Sequence, residues 1–187
     1  MTDSIVEKTK AAIAIDADRA RITIAGHEVA YHCDKFATRI IKGLEDILGV
    51  EKASELLANS AAVTTLEMNQ ALVKLEPDWG SFSVSQRLEK VFEIYKLLGF
   101  GAVKAERMDG SSTKVTSKSS YLAEGYLENM QRWMWPVREK IFCHDMCGYL
   151  QSAWALVSEK PLDAVAVKET QCRATGADQC VFIVEVK

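Results

Sequence analysis

The stretch LDAVAVKETQC–RATGADQ–CVFIVEVK, residues 162–187, constrains the fold more than any other part of the chain. It alternates with a period of two on both sides of a short loop containing Gly176. That pattern predicts two strands closing the chain as an antiparallel hairpin. On the first strand Val165, Val167 and Glu169 share one face; on the second, Cys180, Phe182, Val184 and Val186 share an inward-looking face. Glu169 therefore stands where valines stand. A carboxylate on an apolar face is costly unless it is paired or bound to a metal.

Cys172 and Cys180 bracket the loop, so both thiols and Glu169 are expected at one mouth of the hairpin. Upstream, the spacing predicts a helix over about 139–157 with Cys143, Cys147, Leu150, Trp154 and Val157 as its apolar stripe. Cys143, Cys147 or His144 would supply a fourth ligand, and three thiolates with a carboxylate or imidazole suit tetrahedral zinc. Two other readings stay open. The cysteines would serve as small buried hydrophobes, with Glu169 paired to Lys168 or Arg173. Alternatively, Cys143, Cys147, Cys172 and Cys180 together would hold an iron–sulfur cluster. The cysteine count of five is odd, and the first twenty residues lack the pattern of a secretory leader. A cytoplasmic location with reduced thiols is the expectation, which favours ligands over disulfides.

The rest of the chain predicts an α+β domain, an antiparallel sheet covered by helices. Residues 1–20 are expected as an N-terminal arm, loosely attached or a short helix, and residues 21–187 as one folded domain. RITIAGHEVAYHC reads as one or two short strands broken at Gly26, or as a strand leading into a helix. Helical spacing then runs from Phe36 through Ile40, Ile41, Leu44 and Ile47 to a stop at Gly49, and restarts at Val50 towards Leu72. Ser83 and Gln86 form a capping-box pair ahead of Val84, Leu88, Val91, Phe92 and Tyr95. Residues 101–119 read as a hairpin turning at Asp109-Gly110, and Leu122, Tyr126 and Met130 mark another helix, with Pro136 breaking the segment behind it.

On its motifs the chain resembles the 4-vinyl reductase domain family. The residues that carry the resemblance are E-x2-C-x7-C-x-F at Glu169, Cys172, Cys180 and Phe182, C-x4-G-Y at Cys143, Gly148 and Tyr149, KSSYLAEGYL at 118–127, and the helix pair broken at Leu48-Gly49. Together they span about residues 22–186. The family includes the sensory domains of phenol- and xylene-responsive bacterial regulators and is related in fold to TRAPP trafficking subunits, the fold of ligand-binding domains in NO signalling and Golgi transport. The resemblance implies a small-molecule sensor, dimeric, with a pocket between helices and sheet and a zinc held by Cys143, Glu169, Cys172 and Cys180. It also implies two alternatives: an enzyme or accessory protein of tetrapyrrole vinyl reduction, and a scaffold subunit of a larger assembly. Phenol sensors carry a His where this chain has Tyr95 and a Trp where it has Tyr121. Those differences argue against phenol itself as the ligand.

The expected pocket residues are Phe92, Tyr95, Tyr121, Tyr126, Trp133 and Trp154, with Met130 and Trp135 as further aromatic or flexible walls. Nucleophile-elbow, P-loop, dinucleotide and H-E-x-x-H motifs are missing, so the reading leans away from an enzyme. Net charge is −3 with no Lys/Arg run, which disfavours nucleic acid. No apolar run approaches the roughly 18 residues that cross a bilayer. The expected partners are a small hydrophobic molecule, a second copy of the chain, and a separate regulatory protein.

Overall fold

The computed structural model describes residues 4–30, 32–109 and 112–187. Helix α1 (Ile5–Ala11) leads into a three-stranded antiparallel sheet of β1 (Ile13–Asp16), β2 (Arg21–Ile24) and β3 (His27–Val29). The first twenty residues thus carry both a short helix, Ile5–Ala11, and a strand, Ile13–Asp16. Ile5 is buried with Ile24, Leu72 and Ile94, and Lys8 pairs with the buried Glu76 at 3.2 Å. Strand β1 lies outside the strands expected from the sequence; its register puts Ile13 opposite Ile24 and Ile15 opposite Ile22.

Two helices follow, α2 (Asp34–Leu48) and α3 (Val50–Val73), separated by Gly49 at φ 80°. That conformation favours glycine and ends α2 where the apolar spacing stops. Helix α4 (Val84–Leu97) starts at the expected capping box: Ser83 Oγ accepts from the Gln86 N–H at 3.3 Å, and the Ser83 N–H donates to Gln86 Oε1 at 2.9 Å. The second sheet is antiparallel in the order β4-β5-β7-β6, from β4 (Gly101–Asp109), β5 (Ser112–Ser120), β6 (Val165–Gln171) and β7 (Cys180–Val186). The turn expected at Asp109-Gly110 includes a residue outside the described set. Helix α5 (Tyr121–Trp133) and helix α6 (His144–Ser158) complete the domain.

Helix α6 begins later than its apolar spacing predicts. Cys143 is its N-cap, at φ −83° and ψ 54°, and the preceding residues are not helical. Arg138 holds this segment out of the helix by donating to both oxygens of Glu45 and to the Ile141 carbonyl. Cys143 and Cys147 therefore do not form one helical stripe.

The main core lies between α6, α4 and the inner face of the second sheet, where Phe92, Tyr95, Leu150, Trp154, Phe182 and Val184 pack together. Each such side chain contributes about 1.5–3 kcal/mol on burial. Gly148 allows α6 to lie directly on α3: a Cβ there would press into the backbone at Ala58 and Ala62. This close crossing fixes the start of α6, and with it Cys143 and Asp145, against α3.

Candidate metal centre and adjoining cavity

The hairpin of β6 and β7 pairs Glu169 with Phe182 and Lys168 with Ile183, and a register shift follows Glu169. Cys172 closes β6, a short 3-10 turn over Arg173–Thr175 reverses the chain, and Cys180 opens β7. The expected convergence is found. One ligand atom each from Cys143, Glu169, Cys172 and Cys180 lies within 4.8 Å of every other, and all four residues are buried. Cys143 Sγ is 3.6 Å from Cys180 Sγ and 3.9 Å from Cys172 Sγ. A tetrahedral ion with metal–sulfur bonds of about 2.3 Å needs sulfurs about 3.8 Å apart.

The donor set fits a cation on a second count. Glu169 Oε2 accepts the Cys143 N–H at 2.9 Å, while Oε1 is buried with no hydrogen-bond partner. Burial, and then the neighbouring Cys172, push the Glu169 carboxyl up to about 9. Cys143 is raised by its contacts with Cys172 and Cys180, whereas Cys180 is drawn down because Cys143 and Cys172 donate to it. Four mutually crowded acids in a dry pocket repel protein-only ionisation, and a divalent ion reverses that balance. Neither alternative partner reaches Glu169: Arg173 pairs with Glu124 and the Lys118 carbonyl, and Lys168 is exposed on the other face.

The alternates for the fourth position lie outside the group. His144 Nε2 bonds Glu45 Oε1 at 2.8 Å, in a buried network with Arg138. Burial alone would raise Glu45; the bonds from His144 and Arg138 outweigh it and hold the carboxyl below its ordinary value. The Cys147 thiol is pushed up to about 12 by burial. It behaves as a small protonated hydrophobe.

A cavity of about 650 Å³ lies between α2, α3, β3 and the start of α6. Its walls are mainly apolar, with Ile41, Leu57 and Met68 on one side. On the other, Phe100 stacks on Tyr149 at 4.3 Å between ring centroids, and Tyr121 stands 6.3 Å from Phe100. Asp145, two residues after Cys143, also faces this cavity. Burial pushes its carboxyl above the usual range, against a 3.4 Å bond from the Tyr121 hydroxyl.

Of the six expected pocket residues, Tyr121 lines this cavity. Tyr95 is buried in the core and donates to the Tyr149 carbonyl at 2.7 Å, with Asn69 Nδ2 donating to its hydroxyl at 2.9 Å. Tyr126 and Trp154 are core residues, and Phe92 packs against Trp154 at 5.8 Å. Trp133 is half exposed, with Arg39 over its ring. Among the cavity residues not foreseen, Asp145 and Tyr149 lie one turn apart on α6, and Phe100 comes from the loop between α4 and β4. The G-Y of C-x4-G-Y was the one signal for Tyr149: its glycine sets the helix crossing and its tyrosine faces the cavity.

No protein-family model matches the sequence, and no curated protein matches it. Among solved structures, the phenol-responsive sensory domain of the transcription activator PoxR with phenol superposes with a TM-score of 0.79 and 15% identity, over 97% of this chain and 88% of that one. A trafficking protein particle complex subunit 3 from Naegleria fowleri, covalently bound to palmitic acid, matches with a TM-score of 0.56 and 11% identity, over 82% and 95%. A vinyl-4-reductase family protein from Methanocaldococcus jannaschii is also similar, with a TM-score of 0.45 and 17% identity, over 82% and 90%. The chain has the α+β fold of the sensory and trafficking domains, as its resemblance to the 4-vinyl reductase domain family implied.

Proposed function

We propose that this chain is a ligand-sensing domain that takes a small hydrophobic or aromatic molecule into the cavity beside α6, with a structural zinc at Cys143, Glu169, Cys172 and Cys180. The observation that carries the reading is the apolar cavity of about 650 Å³, set in a fold shared with a phenol-responsive sensory domain. That volume falls within the range of small-molecule sites. Tyr121 and Asp145 join the two halves of the proposal, because Asp145 and the ligand Cys143 share the first turn of α6.

Zinc is favoured over an iron–sulfur cluster by the donor set, since Cys147 stands outside it and leaves three thiols with one carboxylate. The ion would tie the closing hairpin to the start of α6 and offset the buried charge of Glu169. A second copy of the chain would cover the exposed side of α2, where Phe36 and Ile40, at the rim of the cavity they also line, are about half exposed and Ile47 is 80% exposed. The domain would then act through a separate regulatory protein in the cytoplasm.

Native mass spectrometry of the purified protein, with screening of apolar compounds by thermal shift, tests the sensing role. The expected result is a co-purifying molecule or stabilisation by aromatic compounds, lost when Leu57→Trp fills the cavity. Unchanged melting across aromatic and aliphatic probes overturns it. Sedimentation of the wild type and Ile47→Glu tests the pairing, with a dimer expected for the first and a monomer for the second.

A further inference from the structure

Among the described residues that line the cavity, one buried polar atom has no hydrogen-bond partner. Asp145 Oδ1 makes no hydrogen bond to any described residue, although Oδ2 receives the Tyr121 hydroxyl at 3.4 Å. An acidic residue in the first turn of a helix favours that terminus through the helix dipole. That role asks only for charge near the helix end; it does not require a carboxyl that lines an apolar cavity with one oxygen unpartnered.

The surroundings say what would fit. Phe100, Tyr121 and Tyr149 line the same end of the cavity as Asp145. Aromatic faces attract cations, most strongly where water is excluded. Among the described lining residues there is no Lys or Arg, and His32, the one basic side chain, stacks on Phe36 at 4.8 Å. Glu45, by contrast, is fully supplied by Arg138 and His144. The fold therefore provides a cation for one buried carboxylate and withholds it from the other.

We propose that Asp145, with the rings of Phe100, Tyr121 and Tyr149, forms an anchor for an organic cation, so that the cavity selects an apolar or aromatic molecule bearing a protonated amine. The ammonium donates to the Asp145 carboxylate and lies against the aromatic faces, while the apolar body packs on Ile41, Leu57 and Met68. This inference rests on the sensing reading of the cavity and specifies its ligand class. It also separates this chain from a binder of neutral phenols, which bring a hydroxyl but no counter-charge.

The test is calorimetry of the full-length protein with tryptamine and tryptophol, which share an indole body and differ in ammonium against hydroxyl. Charge-assisted bonds are about twice as strong as neutral ones, so the wild type is expected to bind tryptamine at least about tenfold more tightly. Asp145→Asn is expected to abolish that preference, bringing the affinities for the two compounds to within about threefold of each other. Retained metal content and circular dichroism establish that the variant is folded, and Tyr121→Phe, which keeps the carboxylate, is expected to preserve the preference. Equal binding of the two compounds by the wild type, or a preference that survives Asp145→Asn, overturns the cation anchor and leaves the sensing role intact. Binding of neither compound overturns the anchor, and if aromatic probes also fail to stabilise the protein, the sensing role falls with it.

Discussion

The backbone N–H of Cys143 donates to Oε2 of Glu169 at 2.9 Å, so the residue that opens α6 is held by β6, the first strand of the closing hairpin. The bond does two things. It satisfies one of the orphan N–H groups at a helix start, and it fixes the carboxylate with its second oxygen facing the three thiols. The cluster and the helix start are therefore one structural unit.

Loss of a thiol from that unit is expected to cost far more than loss of Cys147. Cys172→Ala or Cys180→Ser should abolish stoichiometric metal and lower the melting temperature by about 6–12 °C, equivalent to roughly 3 kcal/mol in a domain of this size. Cys147→Ala should keep the metal and shift melting by only about 2–4 °C, the effect of a small packing defect. Elemental analysis and calorimetric melting of the three variants check this.

Metal binding is expected to release protons. Glu169 is raised to about 9 by burial, Cys143 is raised by its neighbouring thiols, and Cys172, drawn down by Cys143, is raised on balance by Cys180 and burial, so all three carry protons at neutral pH without a cation. Zinc titration at pH 7 in buffers of differing ionisation enthalpy should show release of about three protons per ion. Affinity should accordingly rise with pH through neutrality. A heat independent of buffer would contradict this.

Glu45 predicts an acid-sensitive network. Its carboxyl is held below the ordinary 4.5 by His144 and Arg138. A group with a depressed folded value stabilises the protein fully above its unfolded value and loses that contribution as pH falls through the folded one. Stability should therefore drop below about pH 4.5 in the wild type. Glu45→Gln should remove about 3–5 kcal/mol at neutral pH and flatten the acid limb, because it leaves Arg138 buried without its anion. Chemical denaturation from pH 3 to pH 7 measures both.

Gly148 is expected to tolerate no side chain. Gly148→Val would drive its branched Cβ into the α3 backbone at Ala58 and Ala62, at a cost of about 1–3 kcal/mol or more. Melting should fall, and binding in the cavity should weaken with it, since the same crossing places Tyr149 and Asp145.

The hairpin and the meeting of Glu169, Cys172 and Cys180 were legible because alternation places residues on strand faces without reference to anything distant; Cys143, on another element, was singled out from Cys147 and His144 only by the family resemblance. Glu169 among valines was the decisive sign. The start of α6 was less legible: spacing alone extends the helix back to Glu139, and only the Arg138–Glu45 pair, joining residues far apart in sequence, ends it at Cys143. The cavity was least legible. Tyr95, Tyr126 and Trp154 have the helical spacing of pocket aromatics and prove to be core, while Asp145, Phe100 and His32 meet only through the packing of separate elements. Strand β1 was missed because a four-residue strand in a segment rich in Ala and charge carries little periodic signal.

The most direct test of the account is X-ray absorption at the zinc edge on protein purified without added metal, together with elemental analysis. The account predicts one zinc per chain with three sulfurs at about 2.3 Å and one oxygen at about 2.0–2.2 Å. A metal-free protein, an iron–sulfur spectrum, or a zinc shell made of nitrogen and oxygen alone would contradict it.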